Sequence, residues 1–479
     1  MQVLFAGAEL YPYVKVGGLG DVMAALPRAL RKAGADVRVI VPGFPAVLSR
    51  VSVEREVMRI PDLFGGGEAR ILFGETPDGL PLYAVDCPGF YERHGDPYAE
   101  WGDSARRFAA FSYAIARLGL DGDGLGFRPS VVHCHDWQTA LAPVYIGHDW
   151  SGRRVPTVLT IHNLAYQGVY PSAMVEELRL SRECFHLYAA EYHGQLNFLK
   201  AGLGYAWKIT TVSPTYAREI TSPDGGFGLD GLLAHRSYDL VGIVNGIDDE
   251  LWDPAESPEL PVNFDVKTLD RRLEGKIELQ RRLGLDVDPN APLFGVVSRL
   301  AEIKGLDLVL SNVDWIRHLG GQLVVLGRGD HDLEARFRAA ELANRGRVCS
   351  WIGYDEGLAH HVFAAVDSLI VPSRSEPCGL TQMYAQRYGA LPLVRATGGL
   401  ADTVTEISPE SLEDGTGTGF RFDRIDGWAL GDAIGRANAL FHDAKGAWRK
   451  AQVNGMTKDW SWGPSARRYL EVYRSIAQW

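Results

Sequence analysis

The chain has 479 residues, and 49 Lys+Arg against 60 Asp+Glu leave a formal net charge of −11 at pH 7. That balance excludes a protein held to nucleic acid mainly by electrostatics. With 46% hydrophobic and 23% charged residues the chain has the material for a large core, which excludes disorder as its main state and, at roughly 150 residues per domain, allows two or three domains.

In chain order, the first element is a strand beginning at Val3 and running to Ala8, with no basic leader before it. A Gly-rich turn follows, and Val22, Leu26, Ala29 and Leu30 at i, i+4, i+7, i+8 predict a helix over Gly20 to Lys32. Asp36 to Val41 reads as the next strand, closed by Pro42-Gly43. Val131 to Cys134, Thr157 to Ile161 and Ile209 to Val212 read as buried strands, each followed by a polar turn and a helical stretch. This βαβ series predicts a parallel sheet covered on both faces.

After Asn245-Gly246-Ile247-Asp248 and the Pro- and acid-rich stretch Asp253 to Asp265, a second series begins. Its strands are Leu293 to Val297, Gln322 to Leu326, Val348 to Trp351, Ser368 to Val371 and Leu391 to Val394. The fold class is therefore α/β, in two halves, and no short repeat suggests a solenoid or propeller. The last amphipathic stretch, Ser465 to Gln478, is a helix that the sequence leaves free to pack on either half. Five cysteines (Cys87, Cys134, Cys184, Cys349, Cys378) without a C-x-x-C pair point to a reducing compartment, and no apolar run approaches the ~20 residues that span a bilayer. A soluble cytoplasmic protein with no membrane partner is expected.

Four clusters carry chemistry. Lys15-Val16-Gly17-Gly18-Leu19-Gly20-Asp21 lies between a strand and a helix, where bare backbone N–H groups and the helix dipole suit an anion or a sugar hydroxyl. Its spacing is not the G-x-G-x-x-G of a dinucleotide site. Ser298-Arg299-Leu300-Ala301-Glu302-Ile303-Lys304-Gly305 places two cations in one strand-to-helix loop, within reach of one polyanion. Pro372-Ser373-Arg374-Ser375-Glu376-Pro377-Cys378-Gly379-Leu380-Thr381 sets a carboxylate beside the amides of a helix start, and the absence of a nearby His argues against a Cys378 nucleophile. His133-Cys134-His135-Asp136-Trp137 and His162-Asn163-Leu164-Ala165-Tyr166-Gln167-Gly168 mix imidazoles, amides and aromatics at two strand ends, which suits a carbohydrate better than a metal, for which a clear third ligand is missing. Each cluster also has a bland alternative, a ligand-free glycine turn or a solvated charge pair. Asp121-Gly122-Asp123-Gly124 lacks the later acids of a calcium loop and reads as a solvated turn.

These motifs, with Phe198-Leu199-Lys200-Ala201-Gly202, Val212-Ser213-Pro214-Thr215-Tyr216, Glu376-Pro377-Cys378-Gly379-Leu380-Thr381-Gln382 and Thr397-Gly398-Gly399-Leu400-Ala401-Asp402-Thr403, make the sequence similar, nearly end to end, to the bacterial glycogen synthase and plant starch synthase family. The resemblance implies a GT-B architecture of two Rossmann-like domains facing across a cleft. It implies that residues 1–245 form an acceptor-side domain completed by a helix at 460–479, and residues 246–459 a donor-side domain. It implies retaining transfer of glucose from ADP-glucose to the non-reducing end of an α-1,4-glucan such as glycogen, with no cofactor and no metal.

Carried over position by position, the resemblance makes Glu376, His162, Arg299 and Lys304 catalytic. It assigns Lys15, Gly17, Gly18, Asp21, Asn163, Cys378, Gly379, Leu380 and Thr381 to the donor, and Tyr91, Asp136, Trp137 and His162 to the acceptor side. The chain departs from the family at Ile303 (usually Gln), Ser375 (usually Phe) and Arg328 (usually small), and Tyr384 stands where broader retaining transferases carry a second Glu. The rivals are a nicotinamide oxidoreductase, which lacks its glycine fingerprint, a non-catalytic glucan-binding protein, which would have no need of the cationic loop, and a glucan phosphorylase, which lacks a pyridoxal-phosphate site.

Overall fold

The computed structural model describes residues 1–99 and 101–477. The chain divides into two compact units, Met1–Asn245 with Trp462–Trp479, and Gly246–Ser461.

The first unit is built on β1 (Gln2–Ala6), β2 (Asp36–Pro42), β3 (Ser52–Ile60), β4 (Ala69–Glu75), β5 (Pro81–Asp86), β6 (Val131–His135), β7 (Thr157–Ile161), β8 (Val169–Pro171), β9 (Glu191–Tyr192), β10 (Gln195–Asn197), β11 (Lys208–Thr211) and β12 (Leu240–Gly242). Nine of these form one sheet, in the order β12-β11-β7-β6-β1-β2-β5-β4-β3, while β8, β10 and β9 form a small separate sheet. The run from β12 to β5 is parallel, but β5-β4 and β4-β3 are antiparallel. The expectation of a wholly parallel, doubly covered sheet therefore fails at this edge. The reason lies in the chain: β3 (SVEREVMRI) is charged and mostly exposed, so it lacks the continuous apolar run by which a central parallel strand is recognised.

The centre of this sheet is dry. Val3, Leu4, Phe5, Val132, Val158, Leu159 and Ile209 are fully buried, and the Thr, His and Cys side chains that β6, β7 and β11 carry between them are buried as well. The first helix, Gly18–Lys32, starts two residues earlier than its apolar pattern indicates and buries Val22, Met23, Leu26 and Leu30. The last helix, Trp462–Ile476, belongs to this unit and buries Ala466, Tyr469, Leu470, Val472 and Tyr473. Each large apolar side chain so buried contributes about 1.5–3 kcal/mol, so one stripe is enough to anchor the helix.

The second unit has β13 (Leu293–Val297), β14 (Gln322–Gly327), β15 (Val348–Ile352), β16 (Ser368–Val371), β17 (Leu391–Arg395) and β18 (Phe420–Phe422), in the all-parallel order β15-β14-β13-β16-β17-β18. The five strands expected from aliphatic runs all form, and the sixth, the three-residue β18, is too short to carry a pattern. Phe294, Val296, Leu323, Val325, Ile370, Leu391 and Leu393 pack with Leu430, Ile434 and Trp448 in its core. The order reverses between β13 and β16, and open parallel sheets bind ligands outside the carboxyl ends of the strands at such a reversal.

Candidate active site

In the second unit the residues singled out from the sequence come together at the reversal. Lys304 ends a single turn of helix, Glu302–Lys304, after β13, and Glu376 lies in the loop after β16. Lys304 Nζ meets Glu376 Oε2 at 2.6 Å, and the Ser373 hydroxyl donates to the same oxygen at 2.8 Å. Gly305 makes this approach possible: its φ is +67°, and a Cβ there would stand 2.1 Å from the Pro372 carbonyl oxygen.

The Glu376 loop is pinned from both sides. The Arg374 N–H donates to the Ile303 carbonyl at 2.8 Å, and its guanidinium forks onto Asp307 at 2.7 and 2.8 Å. Arg395 donates from β17 to the carbonyl of Ser373 at 2.8 Å and to that of Arg374. Gly398 (φ +44°) and Gly399 form a floor beneath it, since a Cβ at Gly398 would lie 2.0 Å from the Glu376 carbonyl oxygen. Ser373 and Arg374 lie in the motif singled out from the sequence but were given no role, and Asp307 and Arg395 went unnoticed, because only the folded loop shows what they grip. The Ile303 departure is accommodated, since residue 303 serves the loop through its backbone carbonyl; nothing in the structure explains Ser375.

Four donors remain available here. Arg299 is exposed, and the amides of Gly379, Leu380 and Thr381 open the helix Thr381–Arg387, whose cap residue Leu380 has no side-chain acceptor. Among the described residues, none of the four donates to any group. Gly379 adopts φ +74°, a left-handed conformation in which glycine is unstrained. Cys378 is buried, and its carbonyl accepts from Gln382 at 3.1 Å, so it is a wall residue of this loop. Tyr384, in place of a second Glu, stacks on Trp252 with ring centroids 3.9 Å apart.

In the first unit the Lys15 loop and the two histidine segments lie at the carboxyl ends of adjacent strands β1, β6 and β7. Asp136 is held at φ +56°, ψ −174°, a region nearly reserved for glycine and worth roughly 1–3 kcal/mol of strain. Its carboxylate accepts the His162 N–H at 2.7 Å. Desolvation pushes the Asp136 carboxyl up to about 7, against the lowering effect of the His162 N–H. Desolvation also drives His162 down to about 3, so its ring is neutral near pH 7.

His135 Nδ1 and His162 Nε2 are 2.9 Å apart, and His133 is bonded by one nitrogen to Tyr473 Oη (2.7 Å) and by the other to Thr160 Oγ1 (2.6 Å). Both ring nitrogens of His133 are thus engaged with protein partners, whereas His135 is engaged through Nδ1 and its buried Nε2 has no partner among the described residues. The Asn163 side chain accepts from the Ala165 N–H at 3.0 Å. Trp137 is half-buried in an aromatic group with Phe108 and Phe198.

Lys15 pairs with Asp21 at 2.7 Å. Glu9, absent from the sequence reading, accepts from the N–H groups of Val16 (2.9 Å) and Gly17 (3.2 Å) and from the Tyr98 hydroxyl (2.8 Å). The Gly17 amide therefore holds a protein carboxylate here, whereas an added Cβ at Gly17 or Gly18 would meet nothing within 4 Å. These two glycines leave bare backbone beside open space.

Two expectations are corrected. Tyr91, assigned to the acceptor side, is a core residue: it is fully buried and its hydroxyl donates to the Arg107 carbonyl at 2.8 Å, leaving no surface for a glucan. The turn at Asp121 to Gly124 is not solvated at Asp123, which is 3% exposed and accepts from Arg38 (2.8 Å), Tyr83 (2.8 Å) and the N–H groups of Leu125 and Phe127.

Comparison with known proteins gives one answer across the whole chain. Residues 2–235 match the family described as starch synthase catalytic domain, and residues 280–423 match glycosyl transferases group 1. A glycogen synthase of Rhodopseudomonas palustris is 46% identical, covering 99% of each chain. The chain belongs to the glycogen synthase family. A glycogen synthase of Nitrosomonas europaea is 43% identical over 100% of this chain and 98% of its own. The catalytic domain of starch synthase IV from Arabidopsis thaliana, solved with ADP and acarbose, superimposes with a TM-score of 0.88 at 34% identity, covering 99% of each chain. Sucrose-phosphate synthase from Thermosynechococcus elongatus, at TM-score 0.61 and 17% identity over 99% of this chain and 98% of its own, shares the fold alone. The enzyme is thus a hexosyltransferase with the GT-B fold. No helix among its described residues is long and apolar enough to cross a membrane.

Proposed function

We propose that this enzyme transfers glucose from ADP-glucose to the non-reducing end of an α-1,4-glucan, with retention at the anomeric carbon and without a metal. The observation that carries the reading is the grouping, at the sheet reversal, of unpartnered Arg299, the Lys304–Glu376 pair and the free amides of Gly379, Leu380 and Thr381. Preorganised cations and amides there stabilise the charge that grows on a departing diphosphate, the task a metal ion performs elsewhere. Glu376 takes the glucose 3-hydroxyl, with Cys378 as a packing wall. From the first unit, the family resemblance assigns Lys15, Gly17, Gly18, Asp21 and Asn163 to donor binding, and Asp136, Trp137 and His162 to the acceptor side.

Retention requires either a covalent glucosyl intermediate or a front-face route in which the leaving phosphate takes the acceptor proton. The front-face route is supported by the state of the carboxylates near these loops. Asp136 is bonded to the His162 N–H and driven toward its neutral form, Glu9 is bonded by two amides and a phenol, and Glu376 is paired with Lys304. None of the three is an uncommitted nucleophile. A cytoplasmic location fits the five free cysteines, all of them buried.

The test is glucose transfer to glycogen with ADP-glucose and UDP-glucose side by side. Transfer from ADP-glucose is expected, and failure with both donors would refute the reading. In the same assay activity should survive EDTA and dialysis, because the cations do the neutralising; a strict need for added Mg²⁺ or Mn²⁺ would overturn the metal-free mechanism. Cys378→Ser should keep substantial activity, since the thiol packs and does not react. A glucosyl adduct on Cys378 detected by mass spectrometry would reverse that assignment.

A further inference from the structure

Arg328 lies at the carboxyl end of β14, immediately after Gly327, and is exposed. Its segment runs beside the Arg299 loop beyond the ends of the strands. The Leu300 N–H donates to the Arg328 carbonyl at 2.9 Å, the Asp330 N–H donates to the Leu300 carbonyl at 2.6 Å, and Leu300 and Gly329 form a parallel bridge. The flanking glycines permit this closeness, since a Cβ on Gly327 would stand 1.9 Å from the Ser298 carbonyl oxygen and one on Gly329 would stand 2.2 Å from that of Leu300. The Arg328 backbone is therefore fixed next to Arg299.

Its side chain has no structural employment. Among the described residues the Arg328 guanidinium makes no hydrogen bond and no ion pair, although two carboxylates are close in sequence. Both are committed elsewhere. Asp330 caps the helix His331–Ala343 by accepting from the N–H groups of Asp332 and Leu333, and Glu334 accepts the Gly329 N–H at 3.0 Å. An exposed arginine that the fold does not use, its backbone fixed beside the Arg299 loop, is free to serve an anion bound at these strand ends.

Strand order says which anion. Along the sheet the loops run from Glu376 after β16, to Arg299 and Lys304 after β13, to Arg328 after β14, to Tyr354, 74% exposed, after β15. With neighbouring strands ~4.8 Å apart, Arg328 is one step beyond Arg299 in the direction away from Glu376. If the sugar is at Glu376, the donor extends along this line and its nucleoside lies toward Arg328 and Tyr354.

We propose that Arg328 is a donor-binding residue, a third cation whose guanidinium holds the phosphate adjacent to the nucleoside, beyond the diphosphate contacts of Arg299 and Lys304. This rests on the donor assignment made under Proposed function. Where a small residue stands at this position, that phosphate would lack the contact.

The test compares binding of ADP, AMP and adenosine to the full-length enzyme, Arg328→Ala and Arg328→Ser by calorimetry, with melting curves to confirm that the variants fold. Loss of one solvent-accessible, charge-assisted contact predicts about three- to tenfold weaker binding of both ADP and AMP, with adenosine unchanged. An equal loss with adenosine would place the contact on the base or ribose and overturn the phosphate assignment; unchanged ADP and AMP binding would make Arg328 a solvated side chain. Arg299→Ala keeps the two questions separate: if neither it nor the unaltered enzyme binds ADP, the donor reading fails, whereas ADP binding lost on Arg299→Ala but intact in Arg328→Ala refutes only the third cation.

Discussion

Lys304→Ala is expected to lower kcat by on the order of 10²–10³ while leaving glucan affinity nearly unchanged, the loss typical of removing one preorganised electrostatic donor. The diphosphate is already anionic in the donor, but the cation acts most strongly on the further charge that builds as it leaves, so its removal costs more in the transition state than in the ground state. A second explanation is available, because Lys304 also neutralises Glu376, whose side chain is 12% exposed. Lys304→Ala/Glu376→Gln separates them. The reference is Glu376→Gln alone: if Lys304 serves mainly to neutralise Glu376, the double variant is no slower than that single variant; if it stabilises the leaving group, the double variant is slower by a further large factor. Arg299→Ala should behave like Lys304→Ala, with little effect on melting, since its side chain is exposed and holds no protein partner. An unchanged kcat with a raised KM alone would refute the role for either cation.

The second large effect is acid sensitivity. Burial holds His133 and His135 well below the usual imidazole range, so both stay neutral in the native enzyme. Unfolded histidine, near 6.5, takes up protons as pH falls. Stability is therefore complete above about pH 6.5 and declines below it. At pH 5 the deficit is about 2 kcal/mol for each, or roughly 4 kcal/mol together, at ~1.4 kcal/mol per pH unit.

Two neighbours act in opposite directions. His162, at about 3, adds a loss of the same sign, while Asp136, raised to about 7, binds a proton in the folded state first and so gains stability as pH falls from 7 toward 4. Those two contributions largely offset. Urea unfolding at pH 7 and pH 5 should show a clear fall in free energy at the lower pH. The fall should be smaller in His133→Gln, whose amide can still bond Tyr473 and Thr160. Equal stability at both pH values would show that these imidazoles are not held neutral.

Much of this was legible in the chain because burial on both faces leaves a plain mark. The strands Thr157–Ile161, Leu293–Val297 and Ser368–Val371 have their expected limits, since a central parallel strand is mostly aliphatic and β-branched and carries no charge. Strand β3 was missed for the complementary reason, since a solvated antiparallel edge carries charge along its length, and β4 and the fully buried β5 beside it were missed as well. Site residues followed the same division. Lys15, Arg299, Lys304 and Glu376 stand out because charge beside glycine at a strand end is unusual, whereas Glu9 is an ordinary glutamate until the fold brings it to two amides of the Lys15 loop.

The sequence by itself determined the two α/β halves, the position of the ligand loops at strand ends and the residue types they carry, because local periodicity and glycine placement encode these directly. Only the tertiary structure decided which charges are already spoken for. Lys304 with Glu376, Lys15 with Asp21 and Arg374 with Asp307 are pairs formed across loops, as is the burial that turns Tyr91 and Asp123 into core residues. Only folding, likewise, brings the Arg299 and Arg328 loops together with neither guanidinium partnered among the described residues, because pairing and desolvation depend on which distant segments meet, and no local pattern in the chain records that.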